Sequence, residues 1–455
     1  MTFTSVNPHA PADVLGEWEA AGSDGADAAV GRALKAAQVW RDTPGAARAK
    51  ALGDAATALE QRAGEVTDLV IREVGKPVTE ARGEVARGVA ILRYYAQAAL
   101  APDGETLPAS DPDQLLFARH LPVGVTALLT PWNFPVAIPL WKAAPSLAYG
   151  NATLLKPSSA AAATALLLSE IIGPLLPPDV FQVVLGGAAT ARPLVDHPGI
   201  AAVSFTGSSE VGRDISARVA ARGGRVQAEM GGQNPSVVLA DADLDRAAAA
   251  IAYAAMGYAG QKCTATSRVI VADAVYPQFR DALTAAVEAL GVVDPADPKT
   301  LVGPVIDDGS RSSALAAVAS SGGRVLTGGR ALDAPGFYLA PTLVELDEPA
   351  GPLATEEVFA PVAALIRAGS ADEAVAIANA VRYGLVASVF TSDLAHALRL
   401  TRRLEAGLVR VNAPTSGVDF NAPFGGSKES SYGPREQGQA ARAFYTESQT
   451  VLIVP

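Results

Sequence analysis

Apolar positions recur at helical spacing over residues 26–39, 46–74 and 78–99, so the first hundred residues are predicted to be helical. Gly75-Lys76-Pro77 reads as the stop of the second helix and the start of the third. A loop containing Pro, Gly and Asp follows at 101–112, and 115–121 reads as an extended strand outside the main body. From residue 123 the pattern changes to short apolar runs alternating with helical stretches. Strands are predicted at 123–129, 152–156, 181–185, 202–205 and 226–229, and helices at 136–149, 160–172, 191–197 and 210–221. Such alternation implies a parallel doubly wound sheet, whose ligands sit at the carboxyl ends of the strands. Asn133, Lys156, Gly207 and Glu229 all fall at such ends.

A second alternating region has strands predicted at 235–239, 266–271, 362–366, 386–390 and 408–411, and helices at 244–256, 276–290, 310–320 and 371–380. The fold class is therefore α/β, with two sheets and a cleft between them. The chain ends in Val451-Leu452-Ile453-Val454, a strand too apolar to stay bare, and a second copy of the chain is the expected cover.

Composition narrows the class. At 455 residues, 49% hydrophobic and 18% charged, the chain has a globular make-up and room for two or three domains. A net charge of −11 disfavours binding to a nucleic-acid backbone. No apolar run is long enough to span a bilayer, so no membrane partner is expected. A single cysteine excludes an internal disulfide, and the cytoplasm is the expected compartment. Four scattered histidines, His9, His120, His197 and His396, offer neither a metal site nor a histidine base.

That one thiol, Cys263, lies in Gly260-Gln261-Lys262-Cys263-Thr264-Ala265-Thr266-Ser267. Gly260 permits close approach of backbone, and Lys262 is expected to favour the thiolate, the form that attacks a carbonyl carbon. Thr130-Pro131-Trp132-Asn133-Phe134-Pro135 brackets an amide with prolines, which suits an oxyanion donor. Glu229, at a strand end before Gly231-Gly232, is placed to be partly desolvated and to act as a base near neutral pH. Phe205-Thr206-Gly207-Ser208 leads from a strand into a helix whose first amides can hold a phosphate, although the usual Gly-x-Gly-x-x-Gly fingerprint is missing.

In order along the chain, these motifs, with Leu155-Lys156-Pro157-Ser158, Glu356-Glu357-Val358-Phe359-Ala360-Pro361 and Pro423-Phe424-Gly425-Gly426-Ser427-Lys428, resemble the aldehyde dehydrogenase superfamily over essentially the whole length. The resemblance implies a cofactor domain (1–108 and 123–231), a catalytic domain (232–424), a return segment (425–439) and a small β oligomerisation arm (109–122 and 440–455) that builds a homodimer or homotetramer. It also implies attack of Cys263 on an aldehyde, an oxyanion held by Asn133, a thioester left after hydride transfer to NAD or NADP, and hydrolysis with Glu229 as base. Trp132, Lys156, Gly207, Ser208, Glu357 and Phe359 then hold the cofactor. Many NAD-preferring relatives carry a glutamate three positions after the lysine. Here that position is Ser159, so use of NADP is expected.

The substrate pocket is expected from Phe134, Ile138, Trp141, Lys262, Thr264 and Phe420, with no metal. The segments 261–268 and 430–438 look like the 2-oxoglutarate semialdehyde (2,5-dioxopentanoate) dehydrogenase branch, which calls for a carboxylate anchor; Arg93 and Lys262 are the candidates. The alternatives are an aromatic or general aliphatic aldehyde as substrate and, from another class, a non-redox cysteine hydrolase. Glu229 at the water-activating position speaks against a CoA-acylating variant.

Overall fold

A computed structural model describes all residues, 1–455. The strand Val125–Thr130 is buried at every position, as its unbroken apolar run requires. It forms the middle of a six-stranded sheet whose order is Ser431–Tyr432, Arg225–Glu229, Ala202–Thr206, Val125–Thr130, Ala152–Pro157 and Phe181–Val183. All pairings are parallel except that of Ser431–Tyr432. The chain runs outward in both directions from Val125–Thr130. The carboxyl ends of this strand and of Ala202–Thr206 therefore flank the crevice where order reverses, the place such sheets bind ligands.

A second sheet has seven strands in the order Arg324–Thr327, Thr342–Leu346, Val362–Ala368, Thr266–Ala272, Asn234–Val238, Val386–Phe390 and Leu408–Val411, parallel except for its first pair. A third sheet of three antiparallel strands joins Thr446–Ile453, Leu115–Pro122 and Gly104–Leu107. Its outer strand, Thr446–Ile453, carries exposed Leu452 and Ile453 on an unpaired edge.

Three expectations need correction. Residues 2–19 are not helical but form an antiparallel hairpin, Thr2–Asn7 with Ala10–Glu19, whose register shifts on either side of Val6. The helix expected over 46–74 is two, Gly45–Gln61 and Ala63–Val74, broken at Arg62, whose guanidinium pairs with Glu65 and reaches across to Glu170. Strands Gly104–Leu107, Arg324–Thr327 and Thr342–Leu346 add to those expected. Gly75 ends the helix Ala63–Val74 with φ 64°, a left-handed cap that glycine adopts without strain.

Candidate active site

The loop that follows Val125–Thr130 is held from beneath. Glu84, buried on the helix Val78–Ala98, accepts the backbone N–H groups of Val136 (2.8 Å) and Ala137 (2.9 Å), and its second oxygen takes the ammonium of buried Lys76. Two amides at the start of the helix Ala137–Ala148 are thereby satisfied, and the carboxylate suits the positive end of that helix. The loop carries Asn133, which is buried and donates one side-chain N–H to the carbonyl of Gln261 at 2.9 Å. A primary amide has a second N–H, and this one is left for an incoming oxygen.

Cys263 lies just beyond a left-handed turn in which Tyr258, Ala259 and Gly260 have φ of 56°, 52° and 65°. Glycine fits the last position, where a side chain would also strike the Ala360 carbonyl. The two non-glycine residues cost about 1–3 kcal/mol each in such a conformation, and surrounding contacts must hold them there. Tyr258 is fully buried against Phe134, and its N–H donates to the Leu301 carbonyl. Asn234 donates to the carbonyls of Cys263 and Ala265, both at 2.8 Å, so the backbone at the thiol is fixed from the second sheet.

Glu229 closes its strand with 2% exposure and accepts from the Ser431 hydroxyl at 2.7 Å. A side chain at Gly425 would meet its Oε1 at 2.7 Å. Burial, reinforced by the nearby carboxylate of Glu436, pushes the Glu229 carboxyl well above the ordinary range; Ser431, Lys142 and Arg435 oppose this. Lys142 is buried, ion-paired to Glu436 and hydrogen-bonded to Ser204 at 2.8 Å. Burial also pushes the Cys263 thiol up to about 12, with the carboxylates of Glu357 and Glu229 acting in the same direction. The resting nucleophile is a neutral thiol. Lys262 does not activate it: its ammonium is bound to Glu80 at 2.6 Å and sits over the Tyr253 ring.

A cavity of about 320 Å³ opens onto Cys263 and is lined by Phe134, Trp141, Tyr253, Lys262, Thr264 and Phe424, together with Arg87 and residues of the loop 414–418. Two expected pocket residues lie elsewhere. On the helix Ala137–Ala148 the cavity takes Ala137 and Trp141, four apart on one face, whereas Ile138 is turned about a quarter-circle away into the core. Phe420 packs edge-on against Tyr94 and lines a separate surface groove; the aromatic wall is Phe424. Arg93 pairs with Glu60 in that same groove and cannot serve this cavity.

The groove at the sheet crevice, about 660 Å³, is lined by Thr130, Lys156, Ser158, Ser159, Arg192 and Thr206, among others. The buried hydroxyls of Thr130 and Thr206 find no partner in the protein, and Lys156 has no carboxylate beside it. Burial lowers Lys156 to about 8. Gly207 donates its N–H to the Glu229 carbonyl, and exposed Ser208 stands at the start of the helix Ser209–Ala221 with its hydroxyl unused as a cap. Orphaned hydroxyls, unpaired cations and a helix N-terminus suit the ribose and diphosphate of a dinucleotide. Between groove and thiol, Trp132 meets Phe359 edge-to-face at 5.8 Å, and Glu357 accepts from the Gly232 N–H at 3.1 Å.

Sequence reasoning missed Lys142, Ser431, Glu436, Asn234 and Arg87. Lys142 alone left a signal, as the one charge in a helix buried along its whole length.

A doubly wound sheet with a dinucleotide-sized groove, facing a second sheet that presents a thiol beside a fixed amide, defines a cysteine-dependent oxidoreductase. The profile of the aldehyde dehydrogenase family matches residues 1–451, and the chain belongs to that family. It is an aldehyde dehydrogenase. The chain is 40% identical over 458 residues to the alpha-ketoglutaric semialdehyde dehydrogenase of Bacillus subtilis (99% of this chain, 94% of the relative). It is 36% identical over 457 residues to the 2,5-dioxopentanoate dehydrogenase of Saccharolobus solfataricus (99% and 95%). The crystal structure of an NAD-dependent aldehyde dehydrogenase from Sinorhizobium meliloti superimposes with a TM-score of 0.96 at 34% identity, covering 100% of this chain and 92% of that one.

Proposed function

We propose that this enzyme oxidises 2,5-dioxopentanoate, the semialdehyde of 2-oxoglutarate, to the dicarboxylate. The likeness to relatives bearing that activity in their names, sustained over 99% of the chain, carries the reading. A cavity that joins the thiol to an arginine agrees with it.

In this reading Cys263 loses its proton to solvent through the cavity that opens onto it, and its sulfur bonds to the aldehyde carbon. The oxyanion is received by the free N–H of Asn133 and by the backbone N–H of Cys263, both pre-oriented by the contacts described above. A nicotinamide dinucleotide held by the groove residues would supply the hydride acceptor needed for the adduct to become a thioester. Glu229 then takes a proton from water as that water attacks the thioester, and Cys263 leaves as thiolate. A carboxyl held above the ordinary range by burial is a stronger base than a free one. Ser431 orients it, and the charges of the buried Lys142–Glu436 pair act on it. Trp132, Lys156, Ser159, Gly207, Ser208, Glu357 and Phe359 form the cofactor-binding set. Ser159 leaves room beside Lys156 and Arg192 for a ribose 2′-phosphate, so both NAD and NADP are accepted. The apolar edge strand Thr446–Ile453 pairs with a second copy of the chain in a homo-oligomer.

The aromatic walls Phe134, Trp141 and Phe424 favour a second reading, an aromatic aldehyde. Reduction of NAD and NADP by purified enzyme with 2,5-dioxopentanoate, succinate semialdehyde and benzaldehyde decides between them. A clear kcat/KM preference for 2,5-dioxopentanoate is expected, and a preference for benzaldehyde would sink the proposal.

A further inference from the structure

Four charged residues line the cavity at Cys263: Glu80, Glu84, Arg87 and Lys262. Three are already satisfied. Glu80 holds Lys262 and accepts from Tyr253, and Glu84 holds Lys76 and two backbone amides. Arg87 is half-buried on the helix Val78–Ala98 and has no hydrogen bond or ion pair of its own. The charge is not isolated. Arg410, half-buried on the strand Leu408–Val411, is likewise unpaired, and its Nη1 lies 4.0 Å from where a Cβ on Gly417 of the cavity wall would stand. Arg410 feels both the carboxylate of Asp419 and, less strongly, the like charge of Arg87, and neither forms an ion pair with it. Two half-buried guanidinium groups without an ion-pair partner, one of them on the cavity wall, form an arrangement that an incoming anion completes.

We infer that Arg87, backed by Arg410, binds the carboxylate of the substrate at the end of the cavity away from Cys263, and so selects aldehydes that carry an acid group at their far end. The inference rests on the substrate reading above and supplies the anchor that neither Arg93 nor Lys262 can be. The aromatic walls bury the methylene stem, and the arginines receive the charge. Lys262, bound to Glu80, sets the wall without reading the substrate.

The test compares kcat/KM for 2,5-dioxopentanoate with that for pentanal in the wild type and in Arg87→Gln, Arg87→Lys and Arg410→Gln. A charge-assisted contact of ordinary strength predicts that the ratio falls roughly 10- to 100-fold in Arg87→Gln, mostly through KM, with partial recovery in Arg87→Lys. A smaller fall is expected in Arg410→Gln. Glutarate, a non-reacting diacid, should weaken as a competitive inhibitor by a similar factor in Arg87→Gln. A wild-type preference for 2,5-dioxopentanoate that survives Arg87→Gln, with glutarate inhibition unchanged, overturns the inference and leaves the substrate reading standing. No preference in the wild type overturns the substrate reading itself.

Discussion

The side-chain amide of Asn133 donates to the carbonyl of Gln261 at 2.9 Å, two residues before the nucleophile. One bond ties the proposed oxyanion donor on the first sheet to the thiol loop on the second, so the two halves of the proposed reaction centre keep a fixed spacing. Asn133→Ala removes both the donor and this tie. A kcat loss of about 10²–10³ is expected, with cofactor affinity retained. Titration with NAD followed by fluorescence, alongside steady-state rates, checks it; weakened NAD binding of the same size would mean that the loop, not the donor, was lost.

The carboxylates around Cys263 set its reactivity in a pH-dependent way. Glu357 is pushed up to about 7 by burial, so it becomes negative only as pH rises past neutrality. Each added negative charge disfavours the thiolate and raises the thiol further. Glu357→Gln therefore leaves iodoacetamide alkylation of the cofactor-free enzyme nearly unchanged at pH 6 and speeds it at pH 8.5, on the order of 10-fold for one unit of thiol shift. Equal rates for wild type and variant at pH 8.5 would show that Glu357 does not govern the thiol.

The same carboxyl carries a stability signature. In the window between the ordinary carboxyl value of 4.5 and about 7, folded Glu357 keeps a proton that the unfolded chain has lost. Its contribution to stability is full below that window and is lost as pH rises through it. Glu357→Gln keeps an acceptor for the Gly232 N–H and has nothing to ionise. Urea unfolding at pH 5 and pH 8 should show a larger fall for the wild type than for the variant, with the difference confined to that window.

Much of this is legible in the sequence, for a physical reason. Strands buried on both faces, such as Val125–Thr130, read as unbroken apolar runs, and the positions after them identified Asn133 and Glu229. The hairpin at residues 2–19 was hidden because Pro8, Pro11 and Gly16 break its alternation and its register shifts around Val6. Thr342–Leu346 was hidden because Pro341 precedes it and Glu345 interrupts it. Arg87 could not be told from its neighbours Arg82 and Arg93. Which of the three faces the cavity depends on how the helix Val78–Ala98 docks, and less than two helical turns separate Arg87 from Arg93 and its surface ion pair with Glu60. Lys262 misled for the opposite reason: its neighbour in sequence is Cys263, but its partner in space is Glu80.

The buried pair Lys142–Glu436 lies behind Glu229 with both side chains almost fully enclosed. Removing one member leaves a charge without a partner, whereas removing both removes the penalty. Lys142→Met should therefore destabilise the fold by about 3–5 kcal/mol, and Lys142→Met with Glu436→Leu by less. Urea denaturation of the two variants gives the comparison. If the double variant is the less stable, the pair contributes net stability, and this account of it is wrong.

The proposed use of NADP rests on one side chain. Ser159 lines the groove with Lys156, whose ammonium no protein carboxylate neutralises. A glutamate there would pair with Lys156 and would set a negative charge where the 2′-phosphate of NADP must lie; with NAD it would find two ribose hydroxyls to accept from. At an effective dielectric near 20, a like charge about 4 Å away opposes binding by several kcal/mol before solvent and salt reduce it. Ser159→Glu is thus expected to raise KM for NADP by at least roughly 10-fold while leaving that for NAD equal or lower. Parallel KM measurements at low and moderate salt test the cause as well as the effect, because an electrostatic penalty shrinks as salt rises. An NADP penalty that is the same at both salt concentrations would point to a steric origin instead.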